Sequence, residues 1–127
     1  MEGAQRILLI AAAGAGGTLA RYALAGAVQR VAPATFPYGT LVVNVVGCLL
    51  FGVVWALAEE RLAVSPGVRT VLLVGFMGAF TTFSTYAFET SALLRDAQWA
   101  AAAGNLVAQN VLGVAALLLG LALGRLL

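Results

Sequence analysis

The sequence lacks histidine, contains one cysteine and carries few charged side chains. Cys48 has no second cysteine with which to pair, so an intrachain disulfide is excluded. Without histidine, the commonest ligand of zinc and non-haem iron sites is missing. Charged residues make up 9% of the chain, whereas roughly 25% is typical of a soluble domain. Metal-dependent hydrolases and redox enzymes are therefore not expected.

Apolar residues dominate the chain instead. They account for 62% of the 127 residues, and the mean hydropathy is +1.00. A helix that crosses the bilayer needs about 20 apolar residues, so this length suffices for roughly four such helices and for no catalytic soluble domain. We expect an all-α, multi-pass protein of the inner (plasma) membrane that is embedded in the lipid bilayer, is not an enzyme and has no nucleic-acid partner.

The apolar runs predict four transmembrane helices within one domain of residues 1–127. The predicted spans are residues 7–31, 38–58, 68–94 and 100–123, separated by segments with the prolines and most of the acidic residues. The first span is longer than the apolar region of a signal peptide and contains Arg21, so we expect it to stay in the protein.

The arginines show only a weak bias towards one side of the membrane. Four spans place both termini and the second loop on one side, which has four arginines against two on the other. They are Arg6, Arg61, Arg69 and Arg125 on the first side, and Arg30 and Arg95 on the second. So weak a bias permits insertion both ways and an antiparallel pair of inverted copies. From charge alone, insertion in one orientation is the favoured alternative.

The third span contains glycines, hydroxyls and aromatic rings where a plain membrane helix would be aliphatic. Gly75 and Gly78 are either a notch for close packing or a helix break near residues 75–81 that frees backbone carbonyls. Freed carbonyls from two copies would suit a small hard cation such as Na⁺ as a fixed structural site.

Hydroxyl and aromatic side chains of this span recur at helical spacing. Thr82 lies three residues before Thr85, and Thr81 lies four before it, which places them on one side of a helix. Phe83 and Tyr86 share the spacing of three, and their ring edges carry a weak positive charge that suits an anion. The alternative is that the hydroxyls bond to the preceding turn and the rings pack in the core.

Arg21 and Asn44 are polar residues deep within the first and second spans. A cation at the centre of a membrane helix costs about 2.5 to 3.5 kcal/mol on insertion scales. Arg21 therefore either attracts anions to a pore entrance or bonds to a helix end, and the residue alone favours neither. Asn44 has two N–H donors for an anion, but an interhelical hydrogen bond is the favoured interpretation.

The fourth span adds three amides, Asn105, Gln109 and Asn110. Asn105 and Gln109 lie four residues apart and so share a helix face. They either extend a polar track or mark an interfacial turn, and the sequence does not distinguish these two interpretations.

Taken together, these residues resemble the Fluc family of fluoride channels, also called CrcB proteins. The resemblance covers nearly the whole chain. It rests on the glycine-rich approach to residues 21–22, on residues 39–48 (GTLVVNVVGC) and above all on residues 75–86 (GFMGAFTTFSTY).

The resemblance implies a dual-topology antiparallel homodimer with two pores that pass fluoride out of the cytoplasm without energy input, and a central structural Na⁺. On that pattern the backbone carbonyls of Gly78 and Thr81 hold Na⁺. The residues that it implies for the fluoride pore are Asn44, Phe83, Tyr86, Ser84, Thr85, Thr82 and, at the entrance, Arg21.

The chain departs from the family pattern at two positions. Tyr86 stands where a second phenylalanine is usual, and Gln109 stands where a serine is common. The tyrosine hydroxyl either donates to the anion or ties the ring to a neighbour.

The main alternative function is that of a small proton-coupled multidrug exporter with four helices and dual topology. Such a protein needs a carboxylate within the membrane, for which Glu89 is the candidate. Its place near the end of the third span favours a helix-end acid in contact with solvent. A purely structural membrane subunit would leave the Thr/Ser pattern and Asn44 unexplained.

Overall fold

The computed structural model describes residues 1–60 and 64–127, so Arg61 of the charge comparison lies outside the described residues. Within the described residues, four helical segments are long and apolar enough to cross a membrane, which confirms the expectation of an all-helical protein with four spans. They are Gly3–Val31 (α1), Tyr38–Glu59 (α2), Pro66–Arg95 and Trp99–Leu126 (α6). The predicted spans lie within these segments.

The third segment is not one regular helix. It begins as α3 (Pro66–Thr70), continues as a π-helix (Val71–Met77) and ends its first half as α4 (Gly78–Phe80). After two extended residues, α5 (Phe83–Arg95) forms the second half. The broken third span is therefore present.

Helices α2 and α6 form the most extensive contact between helices. Glycines allow their backbones to touch, because a Cβ at Gly52 would overlap the Leu117 carbonyl and a Cβ at Gly120 would overlap the Leu49 carbonyl. Close approach through small residues is the usual basis of helix association in membranes. This pair forms the support on which Asn44 is held.

Helix α1 packs against the π-helix in the same manner. A Cβ at Gly17 would overlap the Phe76 carbonyl, and one at Gly75 would lie 2.9 Å from the Ile10 carbonyl oxygen. Gly75 is thus a packing notch and not the position at which the helix breaks. Beside this contact lies the buried core, formed by Val43, Leu73, Met77 and Phe80.

The backbone leaves the helix at Thr81 and Thr82, at the end of the predicted range of 75–81. Thr81 has ψ 157° and Thr82 has φ −147°, both extended. Thr82 caps α5 by accepting a hydrogen bond from the Thr85 N–H at 3.2 Å, and threonine is among the residues preferred for that position. The N-cap, not the glycine pair, therefore places the break.

Candidate ion-binding site at the break in the third span

Asn44 on α2 pairs with the backbone at the break. Its Nδ2 donates to the Thr82 carbonyl at 3.0 Å, and its Oδ1 accepts from the Thr82 N–H at 2.8 Å. Backbone groups within a bilayer must find partners inside the protein. One side chain therefore satisfies both groups of the residue at which the helix is broken, so the interhelical alternative for Asn44 is what the structure shows.

Two backbone N–H groups do not bond to the carbonyls with which they would pair in a continuous α-helix. The Thr82 N–H donates to Asn44 and not to the carbonyl of Gly78, four residues earlier. The Thr85 N–H donates to the Thr82 hydroxyl and not to the carbonyl of Thr81. Gly78 and Thr81 therefore have carbonyls without helical donors, and Gly78 is exposed on the surface of the protomer.

The carbonyl of Ala79, which follows Gly78, is occupied by Arg21. The Arg21 Nε donates to the Ala79 oxygen at 3.1 Å, so the structural alternative for Arg21, a bond to a helix end, is present. This bond uses one of the five N–H donors of the guanidinium group. Arg21 is only half-buried and also borders a cavity, so its charge remains close to an open space.

Thr82 lines two cavities. The first, here called the arginine cavity, has a volume of about 320 Å³. The second, the amide cavity, has a volume of about 330 Å³. The arginine cavity is lined by Thr18, Arg21, Tyr22, Thr40, Thr82 and Thr85, among others. The amide cavity is lined by Asn44, Thr82, Phe83, Tyr86, Gln109 and Asn110, among others.

Hydroxyl groups at the break bond to one another and to the backbone. The Thr82 hydroxyl donates to the Thr85 hydroxyl oxygen at 2.9 Å. The Thr81 hydroxyl donates to the Met77 carbonyl at 3.1 Å. This bond to the preceding turn is the alternative that the sequence left open for the threonines. Ser84 is exposed and lines neither cavity in the protomer.

The two aromatic side chains form an edge-to-face pair. The ring centroids of Phe83 and Tyr86 are 5.4 Å apart, with an interplanar angle of 74°. Tyr86 is 7% exposed, whereas Phe83 is 77% exposed although it borders the amide cavity. A large ring so exposed at a polar site is available for contact with lipid or a second protein surface.

Helix α6 contributes two amide side chains to the site. The sequence alone did not decide whether its amides extend a polar track or mark an interfacial turn. Gln109 Oε1 accepts from Asn44 Nδ2 at 3.0 Å, and Asn110 Nδ2 donates to the Tyr86 oxygen at 3.4 Å. Gln109 and Asn110 thus belong to the site. Asn105 is fully buried and donates to the Thr90 hydroxyl at 2.9 Å, outside both cavities, so it links α5 to α6.

Glu89 lies within the helix bundle and not in the solvent contact expected of a helix-end acid. It is half-buried, and its Oε1 accepts from the Thr40 hydroxyl at 2.8 Å. Sequence reasoning did not select Thr40. The sequence feature that could have pointed to Thr40 is the neighbouring Gly39, whose lack of a side chain allows the Ala25 backbone to approach.

Comparison with known proteins connects this arrangement to one family. The family model described as CrcB-like protein, Camphor Resistance (CrcB), matches residues 8–121. A Nitrosococcus oceani protein named fluoride-specific ion channel FluC is 55% identical over 123 residues, 97% of this chain and 98% of that protein. Proteins of the same name from Nitratidesulfovibrio vulgaris Miyazaki F and Maridesulfovibrio salexigens are 57% and 52% identical, each over 96% of this chain and over 98% and 97% of their own length.

Proposed function

This chain belongs to the CrcB family, and we propose that it is a passive, fluoride-selective channel that lets F⁻ leave the cytoplasm. It is a multi-pass protein of the inner membrane and not an enzyme. One observation carries the proposal: at the helix break, uncharged polar side chains and aromatic rings from α2, α5 and α6 line a cavity inside a membrane protein. The fluoride channels named above share about half of its residues.

The chemistry of the two cavities suits a small, strongly hydrated anion. Fluoride leaves water only where other donors replace its hydration shell. Arg21 raises the positive potential of the arginine cavity, and Thr82 lines both this cavity and the amide cavity. Uncharged groups then bind the ion weakly enough to release it, which conduction requires. Lower intracellular fluoride follows, because hydrogen fluoride enters cells neutral and ionises inside.

We further propose that two copies assemble as an antiparallel, dual-topology homodimer. Gly78 and the Phe83 ring are exposed on the protomer surface, where a second copy would cover them. The weak bias of the arginines, four against two, permits both orientations. On this arrangement the fluoride pathway is completed by the partner, and Phe83 and Ser84 face a neighbouring chain and not lipid.

A structural Na⁺ at the dimer axis is the third part of the proposal. Among the described residues, no group of three His, Cys, Asp or Glu side chains is placed to bind a metal. Neutral backbone oxygens, however, are suitable ligands for Na⁺. Gly78 and Thr81 have carbonyls released from helical bonding, and the same pair from a second copy would give four. When bound, Na⁺ would supply a fixed positive charge between the two breaks.

Purified protein in liposomes is expected to release trapped F⁻ without a proton gradient and to retain Cl⁻. The reason is that the site offers donors and no titratable group that must change its charge in each cycle. A fluoride electrode measures the release, and a chloride electrode measures the same preparation loaded with chloride. Chloride release at a comparable rate, or strict dependence on a pH gradient, would refute the channel.

The partly buried Glu89 is the observation that keeps the proton-coupled exporter as a second candidate. One of its carboxylate oxygens, Oε2, is buried without a hydrogen-bond partner among the described residues. Glu89→Gln removes the charge but keeps the acceptor of the Thr40 hydroxyl. A channel retains F⁻ flux in this variant, whereas an exporter loses transport, because coupling needs the ionisable carboxylate.

Dual topology predicts that one loop position is exposed on both sides of the membrane. Thr35 is exposed in the connection between α1 and α2. With Cys48 replaced by alanine, a Thr35→Cys variant in intact cells should react about half with an impermeant maleimide and completely after permeabilisation, if both orientations are equally populated.

The matched control for this labelling is the same variant with Arg30→Ala and Arg95→Ala. It leaves arginines on one side only, so the loop with Thr35 should move outward in nearly every copy, and external labelling should rise towards completion. Complete labelling, or none, in the parent Thr35→Cys protein would show a single orientation.

A further inference from the structure

One acidic residue lies inside a membrane span, on the side of α5 that faces the arginine cavity. This residue is Glu89, which follows the cavity-lining Thr85 by four residues and so shares its helix face. The other four acidic residues lie at or beyond helix ends, and they are Glu2, Glu59, Glu60 and Asp96. A negative charge one helical turn from an anion pathway repels the anion. The position of the Glu89 carboxylate therefore matters for entry into the cavity.

Thr40 contacts both this carboxylate and the arginine cavity. It is 7% exposed and lines the cavity, and its hydroxyl donates to Glu89 Oε1 at 2.8 Å. A hydroxyl group has one proton to donate, so that of Thr40 is not available to an anion in the cavity. Hydrogen bonds to a carboxylate are among the stronger ones in proteins. The Thr40 hydroxyl is thus a restraint on Glu89 and not a fluoride donor.

The start of α2, where Thr40 lies, is held by the Gln29 side chain of α1. Gln29 Oε1 accepts from the Gly39 N–H at 3.2 Å. Its Nε2 donates to the carbonyls of Pro33 and Phe36, at 3.2 and 3.3 Å, in the connection between the two helices. One amide therefore joins the end of α1, the connection and the residue that precedes Thr40.

A backbone contact one turn earlier on α1 limits the movement of α2 further. A Cβ at Gly39 would lie 2.6 Å from the Ala25 carbonyl oxygen, so the two backbones touch. Ala25 lies four residues after Arg21 and four before Gln29, and it lines the arginine cavity together with Arg21. The face of α1 that borders the cavity is thus the face that fixes the position of Thr40.

We propose that Thr40 is a positioning residue that holds the Glu89 carboxylate away from the arginine cavity, and that Gln29 keeps Thr40 in place. Fluoride then enters a cavity whose potential is set by Arg21 without an opposing charge. Without the Thr40 hydroxyl, Glu89 is free to turn towards the cavity and to lower that potential. This inference rests on the proposed fluoride channel and explains how a carboxylate is tolerated beside its pathway.

The variant Thr40→Val tests the restraint, because valine keeps the shape of the side chain and removes the hydroxyl. Fluoride flux in liposomes should fall about 10-fold, as expected when one repelling charge is added at short range in a partly buried site. Thr40→Ser keeps the donor and should keep the flux of the unaltered protein. An equal loss of flux in the two variants would contradict the proposal.

The double variant Thr40→Val, Glu89→Gln separates repulsion from other effects of Thr40. Glutamine carries no charge, so the double variant should recover the flux of Glu89→Gln alone. If Thr40 donated to fluoride directly, or only stabilised the fold, the double variant would remain as slow as Thr40→Val. That result would overturn the proposal.

Gln29→Met tests the second step, since methionine keeps the length of the side chain and makes none of the three hydrogen bonds. Flux should fall, by less than in Thr40→Val, and should recover when Glu89→Gln is added. Loss of flux without this recovery would show that Gln29 does not act through Glu89. Gln98→Met is the matched control, because Gln98 is exposed and caps α6 without a side-chain hydrogen bond, and its flux should be unchanged.

These variants also distinguish the restraint from the function on which it rests. Failure of the unaltered protein to pass fluoride would refute the proposed channel. Fluoride flux in the unaltered protein with equal flux in Thr40→Val would refute only the role of Thr40.

Discussion

Replacing Asn44 with leucine is expected to abolish fluoride flux and to lower the stability of the folded protein by several kcal/mol. Leucine has nearly the same shape but removes three hydrogen bonds, two of them to the Thr82 backbone. The Thr82 N–H and carbonyl would then be unsatisfied inside the membrane, at about 1 to 3 kcal/mol each. Thermal unfolding in detergent and liposome flux measure the two effects.

Asn44→Asp removes only part of the hydrogen bonding that Asn44→Leu removes. Aspartate keeps the oxygen that accepts from the Thr82 N–H and loses both donors, so flux should also fall. Asn105→Leu is the control: it removes one side-chain bond, to Thr90, and leaves the backbone at the break untouched. Equal losses of flux in Asn44→Leu and Asn105→Leu would contradict the special role of Asn44.

Gly120→Ala is expected to destabilise the protein, although alanine is the better helix former. The new Cβ would overlap the Leu49 carbonyl, which belongs to the backbone of α2 and cannot move by a side-chain rotation. Overpacking of this kind typically costs about 1 to 3 kcal/mol. A lower midpoint of thermal unfolding and loss of the folded species in size-exclusion chromatography would record the effect.

Gly104→Ala is the matched substitution on the same helix. A Cβ at Gly104 meets nothing within 4 Å, so only the gain in helix propensity remains, up to about 1 kcal/mol. The two variants should therefore shift the unfolding midpoint in opposite directions. Shifts of the same sign and size would show that the α2–α6 contact is looser than described.

Composition and hydropathy sufficed to predict the four spans, because hydrocarbon leaves a chain few alternatives to helices. The site was predictable as a region, since Asn44 and the hydroxyl-rich third span are polar where lipid permits no polar side chain without a partner. The partners themselves were not predictable. Whether Asn44 meets an anion or Thr82 depends on how α2 and the third span cross, which no local pattern determines.

Two differences between the sequence-based expectations and the structure, at the break and at Glu89, have the same cause. The break was expected near Gly75 and Gly78 on conformational grounds, but neighbouring backbone occupies the space above Gly75, and Thr82 ends the helix by capping α5. Glu89 was expected at a solvent-facing helix end, but Thr40 of α2 lies beside it. In both cases an adjacent helix supplied the deciding contact.

The π-helix that precedes the break determines which way the residues at the break face. Its hydrogen bonds join residues five apart and not four, so the segment Val71–Met77 accommodates a residue that an α-helix of the same length would not. If that segment tightened to ordinary α geometry, everything after it would turn by about 100°. Thr82 would then face away from Asn44. The pairing of Asn44 with Thr82 therefore depends on the extra residue that the π-helix accommodates about one turn before the break.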